Sequence, residues 1–263
     1  MKPVIAFVHG DFGNGATSFG KLVDEIGFGY RLIPLDRPGF APGAVHPERY
    51  TFEGDARALL DQLSCTGVAA FHLVGHSYGG LVAIMMACQA PDRIKSLHLI
   101  EPPLLRLLES RDTQQMSRRV QELQAAHRDD DPDATTSAFF EMIGAGHVPE
   151  RLRGSDEWEQ LMSFAPRFAR NESPGEFPVQ CWEALDARLP IFLYSGGRSH
   201  PALQAITREL ASSPRVRRHT HVAGAGHAVQ MAGDEFEEPL LAEIDAAEAA
   251  WDQRRPATPA PIN

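Results

Sequence analysis

Long apolar runs, a cysteine framework and an excess of positive charge are all missing from this 263-residue chain. No window approaches the roughly 20 apolar residues that a membrane-spanning helix requires, which argues against a membrane protein. Cys65, Cys88 and Cys181 are odd in number and lack metal or redox spacing, so they read as reduced thiols of a cytoplasmic protein. Lys and Arg total 25 against 35 Asp and Glu, and the formal net charge of −10 has the wrong sign for a nucleic-acid surface. The small basic clusters, Arg118-Arg119 and Arg215 to Arg218, read as solvated helix and strand faces. MKPVIAFVHG carries one Lys and a short apolar run; that is too little for a signal peptide and reads as a strand. There is no internal repeat.

A hydrophobic content of 43% with 23% charged residues is ordinary for a soluble globular protein, and the length allows one large α/β domain or two small ones. The most informative stretch runs from Ala69 to Gln89, AAFHLVGHSYGGLVAIMMACQ. An apolar run of strand length, Ala70 to Val74, enters Gly75-His76-Ser77-Tyr78-Gly79. An apolar segment rich in Ala and Met, of helical length, follows it. A bare G-x-S-x-G match is weak; a strand before it and a helix after it are the context of a nucleophile elbow. Such a turn holds its Ser in a strained backbone conformation, and the flanking glycines let strand and helix close on each other. It also sets the Ser at a helix N-terminus, where free N–H groups favour developing negative charge.

Other apolar runs alternate with helical patterns. Val4 to Val8, Tyr30 to Leu35, Ile94 to Ile100, Pro190 to Ser195 and Val216 to Val222 read as further strands. Helices are expected over Ser18 to Ile26, Thr51 to Leu63, Pro201 to Ser212 and about Asp234 to Trp251. This alternation predicts a mostly parallel sheet with helices on both faces. Between Leu104 and Leu189 it stops. Helical patterns at Leu104 to Ser110, Thr113 to His127, Thr135 to Gly144, Asp156 to Phe168 and Phe177 to Leu185 predict a helical cap inserted over the sheet. Asp129 to Asp133 and Asn171 to Gly175 read as loops within it. The expected organisation is a core of residues 1–103 and 190–253, a cap of 104–189, and a proline-rich, disordered tail of 254–263.

Five pieces, VIAFVHGDFGNG, LIPLDRPGF, LVGHSYGG, LHLIEPP and VAGAGHAVQ, in this order, resemble the α/β-hydrolase family over nearly the whole chain. The resemblance implies about six strands, beginning at the His-Gly strand because the usual opening antiparallel hairpin is missing. It implies Ser77 as nucleophile and His227, in a Gly-x-Gly-His loop after the last strand, as its base. Backbone N–H donors for an oxyanion are then expected from Tyr78 and from Asp11, with Phe12 as the alternative to Asp11. A carboxylate at position 11 would oppose an oxyanion if aimed inward, so its side chain is expected to point away. The third member is less obvious. No acid follows Ser195 until Glu209, and Asp186 precedes its strand, at the wrong end of the sheet. The family's other location, after the strand that follows the elbow helix, holds Glu101, a carboxylate ending an apolar strand where a lone charge is costly. The expected triad is Ser77, Glu101 and His227.

His9 and His76 read as structural or pocket-lining residues. His219 and His221 alternate on the last strand without a third ligand, so no metal is expected. Gly10-x-x-Gly13-x-Gly15 has neither the Rossmann nor the Walker order, so no nucleotide cofactor is implied. The expected substrate pocket comprises Phe12, Tyr78, Phe139, Phe140, Ile143, Trp158, Phe164 and Trp182. The expected activity is hydrolysis of an ester or lactone of a moderately large apolar or aromatic small molecule. C–C bond hydrolysis, acyl transfer, cofactor-free peroxidation and a ligand-binding receptor are the other readings of the same site. The partner is a small-molecule substrate, with no nucleic acid and no membrane; a homodimer is left open.

Overall fold

A computed structural model of the protein describes residues 2–26, 29–40, 44–126 and 131–254, with side chains through Trp251. Six strands, β1 (Val4–Val8), β2 (Arg31–Leu35), β3 (Phe71–His76), β4 (Ile94–Ile100), β5 (Ile191–Gly196) and β6 (Val216–Val222), form one sheet. Their order is β2-β1-β3-β4-β5-β6, and every pairing is parallel. The two-residue period of a strand divides the apolar runs between two cores. Ala6, Val8, Leu73, Leu97 and Leu99 face one layer, with Leu59 and Leu63 of α2 (Phe52–Cys65), Leu81 and Ile84 of α3 (Tyr78–Gln89), and Leu203 and Ile206 of α10 (Pro201–Ala211). Ile5, Phe7, Val74, Ile100 and Tyr194 face the other, with Phe19 and Leu22 of α1 (Gly15–Ile26) and Phe236, Leu240 and Ile244 of α11 (Asp234–Arg254). A sheet buried on both faces needs strands apolar on both sides, and β3 has no residue outside the buried class.

Helix boundaries follow local chemistry. Thr51 caps α2, its hydroxyl accepting the Gly54 N–H at 3.0 Å, and Glu53 and Asp55 lie in the positive first turn. Strand order reverses between β1 and β3, so their carboxyl ends splay apart and leave a crevice there.

Between β4 and β5 the described residues form two short 3-10 turns, Leu105–Leu107 and Pro174–Glu176, and six helices: α4 (Arg111–Ala126), α5 (Pro132–Met142), α6 (His147–Leu152), α7 (Asp156–Met162), α8 (Ala165–Ala169) and α9 (Val179–Glu183). Several details differ from the sequence pattern. The helix expected over Leu104 to Ser110 is only the 3-10 turn Leu105–Leu107. The one expected over Asp156 to Phe168 breaks at Ser163 and Phe164 into α7 and α8, because Pro166 in the first turn of α8 cannot continue α7. Of the acidic run expected as a loop, Asp129 and Asp130 lie outside the described residues, while Asp131 caps α5 by accepting the Ala134 N–H at 2.9 Å and Pro132 opens that helix. Helix α6 has no counterpart in the sequence pattern, since six residues are too few to display a helical period. Helix α11 extends to Arg254, one residue into the expected tail; the rest of that tail lies outside the described residues. No helix among the described residues is long and apolar enough to cross a membrane.

Candidate active site

Ser77 stands between β3 and α3 with φ 53° and ψ −125°, a conformation that a side chain makes costly. The neighbouring glycines are required by close approach. A Cβ on Gly75 would lie 2.6 Å from the Gly79 carbonyl oxygen, and one on Gly79 would lie 2.4 Å from the carbonyl oxygens of Val8 and His9. The elbow is therefore wedged between its own helix and β1. The loop after β1 passes beside it, since a Cβ on Gly10 would stand 3.2 Å from Ser77 Cβ.

His227 hangs from the loop after β6, and its Nε2 lies 2.9 Å from Ser77 Oγ. Its Nδ1 lies 2.7 Å from Glu101 Oε2. A carboxylate accepts only, so Nδ1 carries the hydrogen and Nε2 is left to accept from Ser77. Glu101 is wholly buried and has φ 44°, turning the chain sharply at the end of β4. It also accepts the Gly196 N–H at 2.8 Å and the Ser199 hydroxyl. Three donors thus hold a carboxylate that burial would otherwise make expensive. Ser199 occupies the loop after β5 where no acid stands, and its hydroxyl supports Glu101 instead.

His76 packs beside this chain, its ring 4.8 Å from that of His227. Burial, and next the neighbouring His227, push the His76 pKa well below the ordinary imidazole value. Neutral His76 donates Nε2–H to the His227 carbonyl at 3.2 Å and accepts from Gln230 at Nδ1. It anchors the loop that aims His227.

Tyr78 is the first residue of α3, so the helix leaves its N–H unbonded, next to Ser77. Asp11 and Phe12 line the cavity beside Gly10. The Asp11 carboxylate points elsewhere, bonding Arg37 at 3.1 Å and Asn171 at 2.6 Å. An acyl carbonyl carbon against Ser77 Oγ would therefore have a base, an orienting carboxylate and two main-chain segments within reach.

Over Ser77 opens a cavity of about 890 Å³. Phe12, Phe139, Phe140, Ile143 and Phe164 line it, as expected from the sequence. Three expected lining residues do not. The Tyr78 ring is buried against Phe52, 4.8 Å away, beneath the Arg37 guanidinium at 4.1 Å. Trp158 is turned away by its indole N–H, which donates to Asp133 at 2.7 Å. Trp182, on α9, packs into the core that α9 closes against α3, not into the cavity. Their places are taken by Val148, Leu152 and Leu161 from α6 and α7, with Arg151, Arg198 and Glu157 as charged members of the wall. His219 and His221 both lie on Ser195 Oγ, at 2.7 and 3.0 Å. Among the described residues no group of three or more His, Cys, Asp or Glu is arranged to hold a metal ion.

Relatives of quite different activity share this framework. The chain is 33% identical over 98 residues to the dihydrolipoyllysine-residue acetyltransferase component of the acetoin cleaving system of Cupriavidus necator, covering 37% of this chain and 26% of the relative. It is 30% identical over 165 residues to proline iminopeptidase of Lactobacillus helveticus, covering 60% of this chain and 52% of the relative. The matches thus span about half or less of these relatives' length. Among solved structures, MenH from S. aureus superposes with a TM-score of 0.70 at 17% identity, covering 94% of each chain. The family model for the alpha/beta hydrolase fold matches residues 3–234, from the first strand through the loop bearing His227, and the chain belongs to that hydrolase family.

Proposed function

We propose that the protein is a serine hydrolase that cleaves an ester or lactone of a moderately large apolar or aromatic molecule through an acyl-enzyme on Ser77. One observation carries this reading: the continuous hydrogen-bonded line Ser77–His227–Glu101 opens into a cavity walled by Phe12, Phe139, Phe140, Ile143 and Phe164. His227 takes the Ser77 proton as Oγ attacks the carbonyl carbon, and Glu101 stabilises the imidazolium formed. The oxyanion then meets the N–H groups of Tyr78 and Asp11, and preplaced donors of this kind are commonly worth ~10²–10³ in rate each. Collapse expels the alcohol with the proton from His227, and a water activated by the same imidazole releases the acid. Helices α4–α9 act as a cap that supplies the acyl pocket and excludes water. An acetyltransferase component and an iminopeptidase among the relatives support chemistry at a carbonyl without choosing the leaving group.

A fluorophosphonate probe with peptide mapping, followed by p-nitrophenyl ester turnover, tests the reading. Ser77 should be the labelled residue, and Ser77→Ala should abolish both labelling and turnover. Labelling elsewhere with an active Ser77→Ala protein rejects it. Acylation without turnover by the wild type would instead indicate a ligand receptor.

A further inference from the structure

The Gly10–Asp11 peptide unit is gripped from behind. Arg37 Nη1 donates to the Gly10 carbonyl at 3.1 Å, and His9 Nδ1 lies 2.8 Å from the same oxygen. His9 Nε2 accepts the Arg37 main-chain N–H at 3.1 Å, which leaves the His9 hydrogen on Nδ1, pointing at Gly10. Burial, with the Arg37 charge next, drives the His9 pKa well below the ordinary value and keeps the ring neutral. The described chain has no cis peptide, so the Gly10 C=O and the Asp11 N–H point in opposite directions from one rigid plane. Two donors fixing the carbonyl on the far side therefore fix the direction of the Asp11 N–H on the cavity side. A guanidinium on the carbonyl also polarises the peptide and strengthens its N–H as a donor.

Arg37 is itself held without freedom. Its Nε bonds Asp55 at 3.0 Å, its Nη1 bonds Asp11 at 3.1 Å, and its Nη2 lies 3.4 Å from Asn171 Oδ1. Asp55 is shared with Arg167 of α8, whose Nη2 stands 2.6 Å from the same oxygen. Asn171 and Arg167 both come from the segment between β4 and β5, so that segment is tied to the peptide beside Ser77. All five side chains are at most 6% exposed, deeper than a pair serving solubility alone requires.

We propose that Arg37, braced by Asp55 and Asn171, is a positioning residue that orients and polarises the Gly10–Asp11 peptide so that its N–H receives the oxyanion. This rests on the hydrolase reading above. Arg37→Lys keeps the charge but loses the planar fork that reaches Gly10, Asp11 and Asp55 at once. Asn171→Ser removes the Asn171 amide that donates to Asp11 and accepts from Arg37, while stranding no buried charge. The test measures kcat and KM on a p-nitrophenyl ester, inhibition by a trifluoromethyl ketone that forms a tetrahedral oxyanion on Ser77, and the Asp11 amide resonance by 1H–15N NMR. Arg37→Lys should lower kcat ~10–10²-fold with KM within about threefold, lose ketone affinity in proportion, and shift the Asp11 amide. Asn171→Ser should show the same pattern at about fivefold, and it carries the test if Arg37→Lys does not fold. Folded variants that lose melting temperature while kcat, ketone affinity and the Asp11 resonance stay unchanged would overturn the proposal. Wild-type protein that neither turns over esters nor labels at Ser77 would defeat the hydrolase reading, whereas an unmoved Asp11 resonance in folded variants defeats the positioning role by itself.

Discussion

His227, from the loop after β6, meets Glu101, at the end of β4, at 2.7 Å, although β5 lies between those strands in the sheet. The contact passes over the end of β5, whose last residue, Gly196, donates its own N–H to the other carboxylate oxygen. A Cβ on Gly196 would lie 2.1 Å from the Gly226 carbonyl, so only glycine lets the His227 loop settle there.

Glu101→Gln should lower kcat by ~10²–10⁴ while the protein remains folded, because the amide keeps shape but brings a donor where His227 needs an acceptor. Asp186→Asn should be near neutral, since Asp186 bonds Arg188 on the surface at 2.7 Å. Steady-state kinetics with thermal melting checks both. More than about a tenth of wild-type kcat in Glu101→Gln would remove Glu101 from the relay.

Cavity and core aromatics should separate cleanly. Phe140→Ala enlarges the cavity over Ser77 and, on the proposed ester chemistry, should move the preferred acyl chain toward longer esters, each methylene being worth up to ~1–3 kcal/mol. Trp182→Ala lies in the core and should cost ~3–5 kcal/mol of stability with an unchanged chain-length profile. A kcat/KM series from acetate to octanoate, with denaturant melts, distinguishes them; identical profiles for wild type and Phe140→Ala would place the acyl group elsewhere.

Gly79→Ala should destabilise the fold by about 2–4 kcal/mol or prevent folding, since its methyl would meet two main-chain oxygens of β1 and the following loop. Gly224→Ala, with open space around its Cβ, should be within about 0.5 kcal/mol of wild type. Urea unfolding midpoints read the difference, and equal midpoints would mean that the elbow is not wedged against β1.

A buried polar line beneath α11 leads to a pH prediction. Glu248–His72 (2.9 Å), His72–Ser96 (2.7 Å), Ser96–His98 (2.8 Å), His98–Tyr194 (3.0 Å) and Tyr194–Glu243 are five consecutive hydrogen bonds. Burial holds both imidazoles neutral, so two rings and two hydroxyls supply four hydrogens. A carboxylate at Glu243 would leave the line one short, and burial pushes the Glu243 pKa up from 4.5 to about 7 against the lowering effects of the Tyr194 hydrogen bond and of Arg218 at 3.7 Å. Folded protein thus binds this proton between pH 4.5 and about 7 where the unfolded chain does not. This contribution is full at low pH and is lost as pH rises to about 7. Glu243→Gln lacks that loss, so its melting temperature relative to wild type should rise by several degrees between pH 5 and 8. A difference independent of pH would mean that Glu243 is ionised throughout.

How much of this was legible in the chain depends on the range of the forces involved. Parallel strands were readable because a strand buried on both faces tends to be apolar along its length, as VIAFV is, while IKSLHLI keeps Ser96 and His98 buried only by pairing them with other polar groups. The elbow was readable because a tight turn demands its glycines locally. Glu101 was reached through the family resemblance, with the added argument that a carboxylate ending an apolar strand needs partners; which donors would hold it was not visible. Other features depended on what each side chain would face. Tyr78, Trp158 and Trp182 look like pocket aromatics, yet an Arg37 guanidinium, an Asp133 carboxylate and the layer of core under α9 claimed them. Helix α6 was too short to show a period, so the wall it contributes emerged only in three dimensions. The sequence by itself determined the sheet and the elbow, because those follow from local sterics and burial, whereas His227 and Glu101 were reached through the family resemblance. Tertiary structure alone decided the wall of the cavity, the grip of Arg37 on Gly10 and the brace of Asn171 on Asp11; the last two join residues 27 and 160 positions apart that no local pattern connects.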